Sequence, residues 1–287
     1  MNQYYVLYNP FSSNGAGRKE SEKIFGYLKE ESIEFMDMSA IPDHDYSLLF
    51  DKMDNTDKIV ICGGDGTLNR FVNDCDDKFP DVDIYVFPTG TGNDFLRDIG
   101  IATPCAPVLI TQYLKDLPWV EINDKKYYFI NNVAFGIDGW VCEIADQQKA
   151  KDPGAKANYT KIAISGLLGK YHPCNATVTV DGVTRQYQRV WMAPSMNGRF
   201  MGGGMMVAPM QDRSDEERTL TLMMFQNGGR LNIALSFPGV FTGKHIKNKM
   251  AAFCKGHDIT VEFDSPRAVQ LDGETILGVT KYHAHKQ

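Results

Sequence analysis

The chain has 287 residues, 43% of them hydrophobic, and a formal net charge of −6. That length and balance exclude a small disulfide-stapled fold and a general nucleic-acid binder, since phosphate binding needs clustered Lys and Arg. The six cysteines are scattered without a C-x-x-C pair, and no apolar run approaches the roughly 20 residues of a membrane-spanning helix.

These features point to a reduced, cytoplasmic protein without a transmembrane segment, and the strand-like run at 4–8 argues against a signal peptide. From there the chain alternates strand and helix. Residues 21–30 put Ile24, Tyr27 and Leu28 on one helical face. Residues 58–62 form a near-continuous apolar run, as a buried parallel strand requires. The run ends in Gly63-Gly64-Asp65-Gly66-Thr67, followed by a helix with Leu68, Phe71 and Val72. Residues 83–87 are another strand, ending at Pro88-Thr89-Gly90-Thr91-Gly92. This order predicts a parallel-sheet α/β domain with helices on both faces.

Near Trp119 the pattern changes. Hairpins are expected at 120–130 and 177–192, strands at 219–225 and 258–263, and a turn at Asp272-Gly273-Glu274. Alternating residues and Asx-Gly turns predict an antiparallel β-sandwich. The expected division is an α/β domain over 1–121 and a sandwich over 122–287. Two helical segments interrupt the second part: 155–169, whose aliphatic residues are ringed by lysines, and 231–250, which begins apolar and ends basic. His283 and His285 read as a solvated tail.

The chemistry concentrates where strands end. Adjacent glycines such as Gly63, Gly64 and Gly66 let a backbone approach phosphate oxygens, and N–H groups at a helix start point at an anion. Asp65 would repel a bare phosphate, which implicates Mg2+ between carboxylate and phosphate, or a base near the reacting oxygen. The bland alternative is a strand-to-helix turn with an Asp cap. In the next loop Thr89, Thr91 and Asn93 supply neutral donors, and Gly90 gives clearance. The loop from Asn9 to Lys19 follows the first strand and is a third candidate wall; it is not a Walker A loop, which needs G-x-x-x-x-G-K-[ST].

Taken in order, Asn9-Pro10, Gly63 to Thr67, Pro88 to Phe95, Asn131-Asn132, Gly202 to Gly204 and Asp272-Gly273-Glu274 resemble the diacylglycerol kinase catalytic-domain family, which includes sphingosine, ceramide and bacterial lipid kinases. The resemblance spans essentially the whole chain. It implies an ATP-binding α/β domain, a β-sandwich domain and an active site in the cleft between them. It implies transfer of the γ-phosphoryl of ATP, with Mg2+, to a lipid hydroxyl such as that of diacylglycerol, and a place in phospholipid metabolism. Asp272 is then the candidate general base with Glu274 beside it, Asp65 the Mg2+-linked carboxylate, and Thr67, Thr91 and Asn93 the groups holding phosphates or ribose. The lipid is expected at the membrane surface, reached by transient peripheral association. A homodimer is left open.

Two departures stand out. Arg70 occupies the place of a Glu in the family's pattern. Residues 213–218 lack the Gly and Leu of a structural Mg2+ stretch, leaving Asp215 as a weak metal candidate. The competing readings are a kinase of a soluble substrate, as in NAD kinases, and a non-catalytic nucleotide-binding regulator.

Overall fold

The computed structural model describes residues 3–29, 31–90, 92–152 and 157–287. The chain divides into two compact units, Met1–Leu117 and Pro118–Gln287. The first contains β1 (Gln3–Tyr8), α1 (Ser12–Gly15), α2 (Gly17–Ser21), β2 (Ser32–Asp37), α3 (Ser47–Phe50), β3 (Lys58–Gly63), α4 (Asp65–Cys75), β4 (Asp83–Pro88), α5 (Asp94–Asp98) and β5 (Val108–Leu109). The sheet order is β2-β1-β3-β4-β5, with the first four strands parallel and β5 antiparallel on β4.

Ile59 to Gly63 are all buried, which accounts for the unbroken apolar run of β3. In α4, Leu68, Phe71, Val72 and Cys75 recur at helical spacing and all are buried. The helix stops where Asp76 turns left-handed at φ 47°. The helix expected over 21–30 is shorter. It runs as α2 and a 3₁₀ turn, Glu22–Gly26; Ile24 is buried, but Tyr27 is 48% exposed rather than part of the packed face.

The second unit contains β6 (Trp119–Ile122), β7 (Lys125–Tyr128), β8 (Asn132–Gly136), α6 (Ile137–Lys151), α7 (Tyr159–Ser165), β9 (Cys174–Val180), β10 (Val183–Val190) and β11 (Met192–Met196). It continues with β12 (Phe200–Met201), β13 (Met205–Met206), β14 (Leu220–Phe225), α8 (Arg230–Ser236), β15 (Ala251–Gly256), β16 (Asp258–Leu271) and β17 (Glu274–His285). Ten strands form one antiparallel sheet along β15-β14-β11-β8-β16-β17-β6-β7, with β9 joined to β16 and β10 to β9. The register of β16 breaks between Glu262 and Val269: its first part pairs with β9 and its last with β8. One apolar core takes Val120 from β6, Phe135 from β8, Val178 from β9 and Leu222 from β14, so the sheet closes over itself as a sandwich. A second core, with Ile137, Trp191, Met196 and Ile233, packs helices onto the sheet.

Residues 155–156 of the expected helix at 155–169 lie outside the described residues; α7 covers Tyr159–Ser165 and a π turn follows over Gly166–Lys170. The single helix expected over 231–250 is broken. After α8 come 3₁₀ turns at Phe237–Thr242 and Lys244–Lys247, because Pro238 cannot donate and Gly243 sits at φ 70°. His283 and His285 are not a tail. They lie in β17 and share Asp258 Oδ1, at 2.9 and 2.8 Å. No helix among the described residues is long and apolar enough to cross a membrane.

Candidate active site

In the first unit the three predicted loops leave neighbouring strands at the same edge. Tyr8 and Phe87 both register with Cys62, so β1, β3 and β4 finish level. This is the carboxyl edge of a parallel sheet, where open α/β folds bind ligands. The first loop is folded on Asn9: its side chain accepts Phe11 N–H at 3.0 Å, and its carbonyl accepts the Ser12 hydroxyl at 2.7 Å. Ser13 Oγ reaches across to the carbonyl of Thr89 at 2.7 Å, joining the first loop to the third.

The second and third loops lie backbone on backbone. Thr89 N–H donates to the Gly63 carbonyl at 3.2 Å, and Asp65 N–H to the Gly92 carbonyl at 2.9 Å. A Cβ on Gly64 would stand 2.4 Å from Gly92 O, and one on Gly90 2.8 Å from Gly64 N. These glycines are therefore needed for loop-to-loop contact, beyond any clearance for phosphate. Gly63 is equally confined, since a Cβ there would fall 2.3 Å from Thr67 Cβ. Thr67 is buried in the first turn of α4, and Asn93 Nδ2 closes the third loop on the Gly90 carbonyl at 3.0 Å. Gly66, between Asp65 and Thr67, lies in the same turn. Thr91 lies outside the described residues.

Asp65 is a cap, but of the neighbouring helix. Its Oδ2 accepts Asp94 N–H at 2.7 Å and its Oδ1 accepts Phe95 N–H at 3.0 Å. Thr89 Oγ1 is buried without a hydrogen-bond partner, a donor stored inside the loop cluster. An eleven-residue helix opening behind paired glycines, and this orphaned hydroxyl, fit a phosphate-bearing nucleotide. The same residues do not cage a metal. Both Asp65 oxygens already accept N–H groups, and no cluster of three His, Cys, Asp or Glu suited to a metal occurs among the described residues. Mg2+ fits here only as a nucleotide-borne ion, held mainly by phosphates and water.

In the second unit Asp272 and Gly273 form the two-residue turn between β16 and β17, both at positive φ, 46° and 98°. Asp272 is buried, and its carboxylate faces three successive backbone N–H groups. Oδ2 accepts from Ile130, and Oδ1 accepts from Asn131 and Asn132, each at 2.9 Å. Asn132 is further tied to Gln270, whose Oε1 accepts Gly273 N–H at 2.8 Å. Glu274 follows on the exposed side of the turn.

Sequence reasoning missed the surroundings of this carboxylate. Asn197 Nδ2 donates to the Ile130 carbonyl at 2.9 Å, and Arg213 Nη2 to Asn131 Oδ1 at 3.0 Å. Lys286, almost at the chain end, is buried and donates to Asn197 Oδ1 at 2.7 Å and to the Arg213 carbonyl at 3.0 Å. Burial, with the Arg213 guanidinium nearby, pushes the Lys286 ammonium down to about 8. A terminal Lys beside two His carries no periodic signal that would place it in a core.

Both departures have local partners. Arg70 Nη2 lies 2.9 Å from His44 Nε2, and its Nε lies 3.7 Å from Asp74. Asp215 accepts Lys255 Nζ at 2.6 Å, and that ammonium also lies 3.4 Å from Glu217. The hydrogen bond from Lys255 holds the Asp215 carboxyl below its ordinary range. Asp215 is thus paired with an ammonium of the chain.

A parallel α/β unit with three linked strand-end loops, followed by an antiparallel sandwich, defines a two-part α/β-plus-β class whose function is decided by its sites. Residues 3–117 match the diacylglycerol kinase catalytic domain, and residues 131–283 match the YegS C-terminal NAD kinase beta sandwich-like domain. The chain belongs to the diacylglycerol kinase catalytic-domain family, in the form that carries this C-terminal domain. It is 25% identical over 266 residues to a diacylglycerol kinase of Mycobacterium tuberculosis (strain CDC 1551 / Oshkosh), covering 90% of this chain and 84% of that protein. The crystal structure of a diacylglycerol kinase from Bacillus anthracis str. Sterne superposes with a TM-score of 0.69 at 20% identity, covering 99% of this chain and 93% of that one. That likeness establishes the shared fold.

Proposed function

We propose that this protein is an ATP-dependent kinase that phosphorylates the hydroxyl of a lipid, diacylglycerol or one built like it. The observation that carries the reading is the lacing of three strand-end loops through Ser13, Thr89, Asp65 and Gly92 at one edge of a parallel sheet. Family membership and the name of the mycobacterial relative support a lipid acceptor.

In this reading Gly64, Gly66, Thr67, Thr89, Gly90 and Asn93, with Asn9 and Thr91, hold the nucleotide's phosphates, and Asp65 keeps the second and third loops in register. Bound ATP and Mg2+ supply the phosphoryl group and neutralise its charge. The acceptor oxygen bonds to the γ-phosphorus, the bond to the β-phosphate oxygen breaks, and Asp272 takes the hydroxyl proton, with Glu274 beside it. Such transfer depends chiefly on positioning and charge neutralisation, so a carboxylate fixed in place by backbone N–H groups can serve even though those bonds make it a weak base.

The test is transfer from labelled ATP with Mg2+ to a panel of dispersed lipids and to NAD. A labelled lipid that disappears with Asp272→Ala is expected. Labelled NAD without labelled lipid would replace this reading with a soluble-substrate kinase, and nucleotide binding with no transfer would favour a regulator.

A further inference from the structure

The acidic residues of this chain are distributed unevenly. None occurs between Asp152 and Asp181, and none between Glu217 and Asp258, although the chain as a whole carries −6. These two stretches contain two of the three longer helical segments of the second unit, α7 with its π turn and α8 with its 3₁₀ turns; the third, α6, carries Asp138, Glu143 and Asp146.

The helices are neighbours. Arg230, which opens α8, donates to the carbonyls of Gly166 and Tyr171 at 3.4 and 2.7 Å, at the two ends of the π turn. Each helix buries one face and exposes an apolar one. Ile162, Leu167 and Ile233 are buried, whereas Ile164 is 51%, Leu168 78%, Leu231 71% and Leu235 73% exposed. Ile164 and Leu168, like Leu231 and Leu235, are four residues apart and so lie on one stripe. Phe241, in the 3₁₀ turn that follows α8, is 48% exposed. Lys161 and Lys170 belong to α7 and its π turn, and Lys244, Lys247 and Lys249 follow α8, all exposed and none in a salt bridge among the described residues.

We propose that this face docks on an anionic lipid bilayer, inserting Ile164, Leu168, Leu231, Leu235 and Phe241 among the acyl chains while the lysines meet the headgroups. The charge argues for this occupant. Basic segments with no carboxylate of their own, on an otherwise acidic protein, complement a negative surface, and apolar side chains with neighbouring lysines are the two signals that stable interfacial binding requires. A protein partner would need no such one-sided removal of carboxylates. The proposal deepens the lipid-kinase reading, because an acceptor with acyl chains must be met at its bilayer.

The experiment is co-sedimentation of the full chain with vesicles of phosphatidylcholine, alone or with about one third phosphatidylglycerol. Two variants are compared, Leu231→Asp/Leu235→Asp and Lys244→Glu/Lys247→Glu/Lys249→Glu. Wild type is expected to prefer the anionic vesicles, to lose binding as salt is raised, and to lose roughly tenfold or more of its affinity in either variant. Unchanged binding in both variants would overturn the proposal. So would gel filtration in which wild type is a dimer and the leucine variant a monomer, since a second copy would then cover the face. No phosphoryl transfer is involved, so this test can fail while the kinase reading stands, and the reverse.

Discussion

The carboxylate of Asp65 accepts the backbone N–H of Asp94 at 2.7 Å, across 29 residues of sequence. The two residues open successive helices, so one side chain links the loop before α4 to the loop before α5. Removing it with Asp65→Ala orphans the N–H groups of Asp94 and Phe95. A loss of about 1–2 kcal/mol in urea denaturation is expected, as for other lost helix caps, together with weaker nucleotide binding. Asp65→Asn retains one acceptor oxygen and should fall between. An alanine variant as stable as wild type would remove the capping role.

The glycines make a steric prediction. Gly64→Ala and Gly90→Ala each force a methyl group against the backbone of a facing loop, at 2.4 and 2.8 Å. Neither residue sits at positive φ, so the cost comes from contact rather than from conformation. Overpacking of this kind costs about 1–3 kcal/mol, and separating the loops should weaken nucleotide binding in titrations with a fluorescent analogue. Gly26→Ala is the control, because a Cβ there meets nothing within 4 Å.

Much of this was legible in the sequence, and what was not follows a rule. The run at 58–62 announced β3 because a parallel strand is buried on both faces, and Asp272-Gly273 announced its turn because both positions need φ > 0. Contacts between distant residues left no trace. Nothing near Asp65 indicates that its acceptor groups serve α5, and nothing near Lys286 indicates a buried partner in Asn197. The tail reading of His283 and His285 failed because strand β17 is selected by pairing with β16 and β6, not by its own weak pattern. The breaks at Pro238 and Gly243 were in plain view and were outweighed by an apolar run.

Asp272 separates into two measurable roles. Its carboxylate satisfies the N–H groups of Ile130, Asn131 and Asn132, so Asp272→Ala should cost at least about 2 kcal/mol through buried donors left unpaired. If it also takes the acceptor proton, transfer falls by about 10²–10⁴-fold even under conditions where the variant is folded. Asp272→Asn, nearly isosteric, should lose as much transfer with less loss of stability. Normal turnover in folded Asp272→Asn would leave only the structural role.

Metal removal should divide stability from catalysis. The Lys255 ammonium lies on Asp215 at 2.6 Å, so this carboxylate already has a cationic partner within the chain. EDTA is therefore expected to leave the melting temperature of the nucleotide-free protein unchanged while abolishing transfer from ATP. A fall in melting temperature reversed by Mg2+ would reveal a structural ion.

Asp138 sets a pH dependence of the opposite sign to that of a salt-bridged carboxylate. It lies in the first turn of α6 with both oxygens buried and neither in a well-formed hydrogen bond. Burial pushes its carboxyl up from 3.8 to about 7, and the N–H groups of Asp138 and Gly139, though near enough to favour the charge, offset this only in part. Between those two values the folded protein keeps a proton that the unfolded chain has released. Stability therefore declines as pH rises through that window and levels off above about 7, where the charged carboxylate is held in an apolar site. Below the unfolded value both states are protonated and the penalty vanishes. Asp138→Asn removes the ionisation with little change of shape, so it should stabilise most above pH 7 and flatten the profile below it. Urea denaturation of both proteins at intervals from about pH 4 to 8 measures the difference; parallel profiles would mean that the carboxylate finds a partner when it ionises.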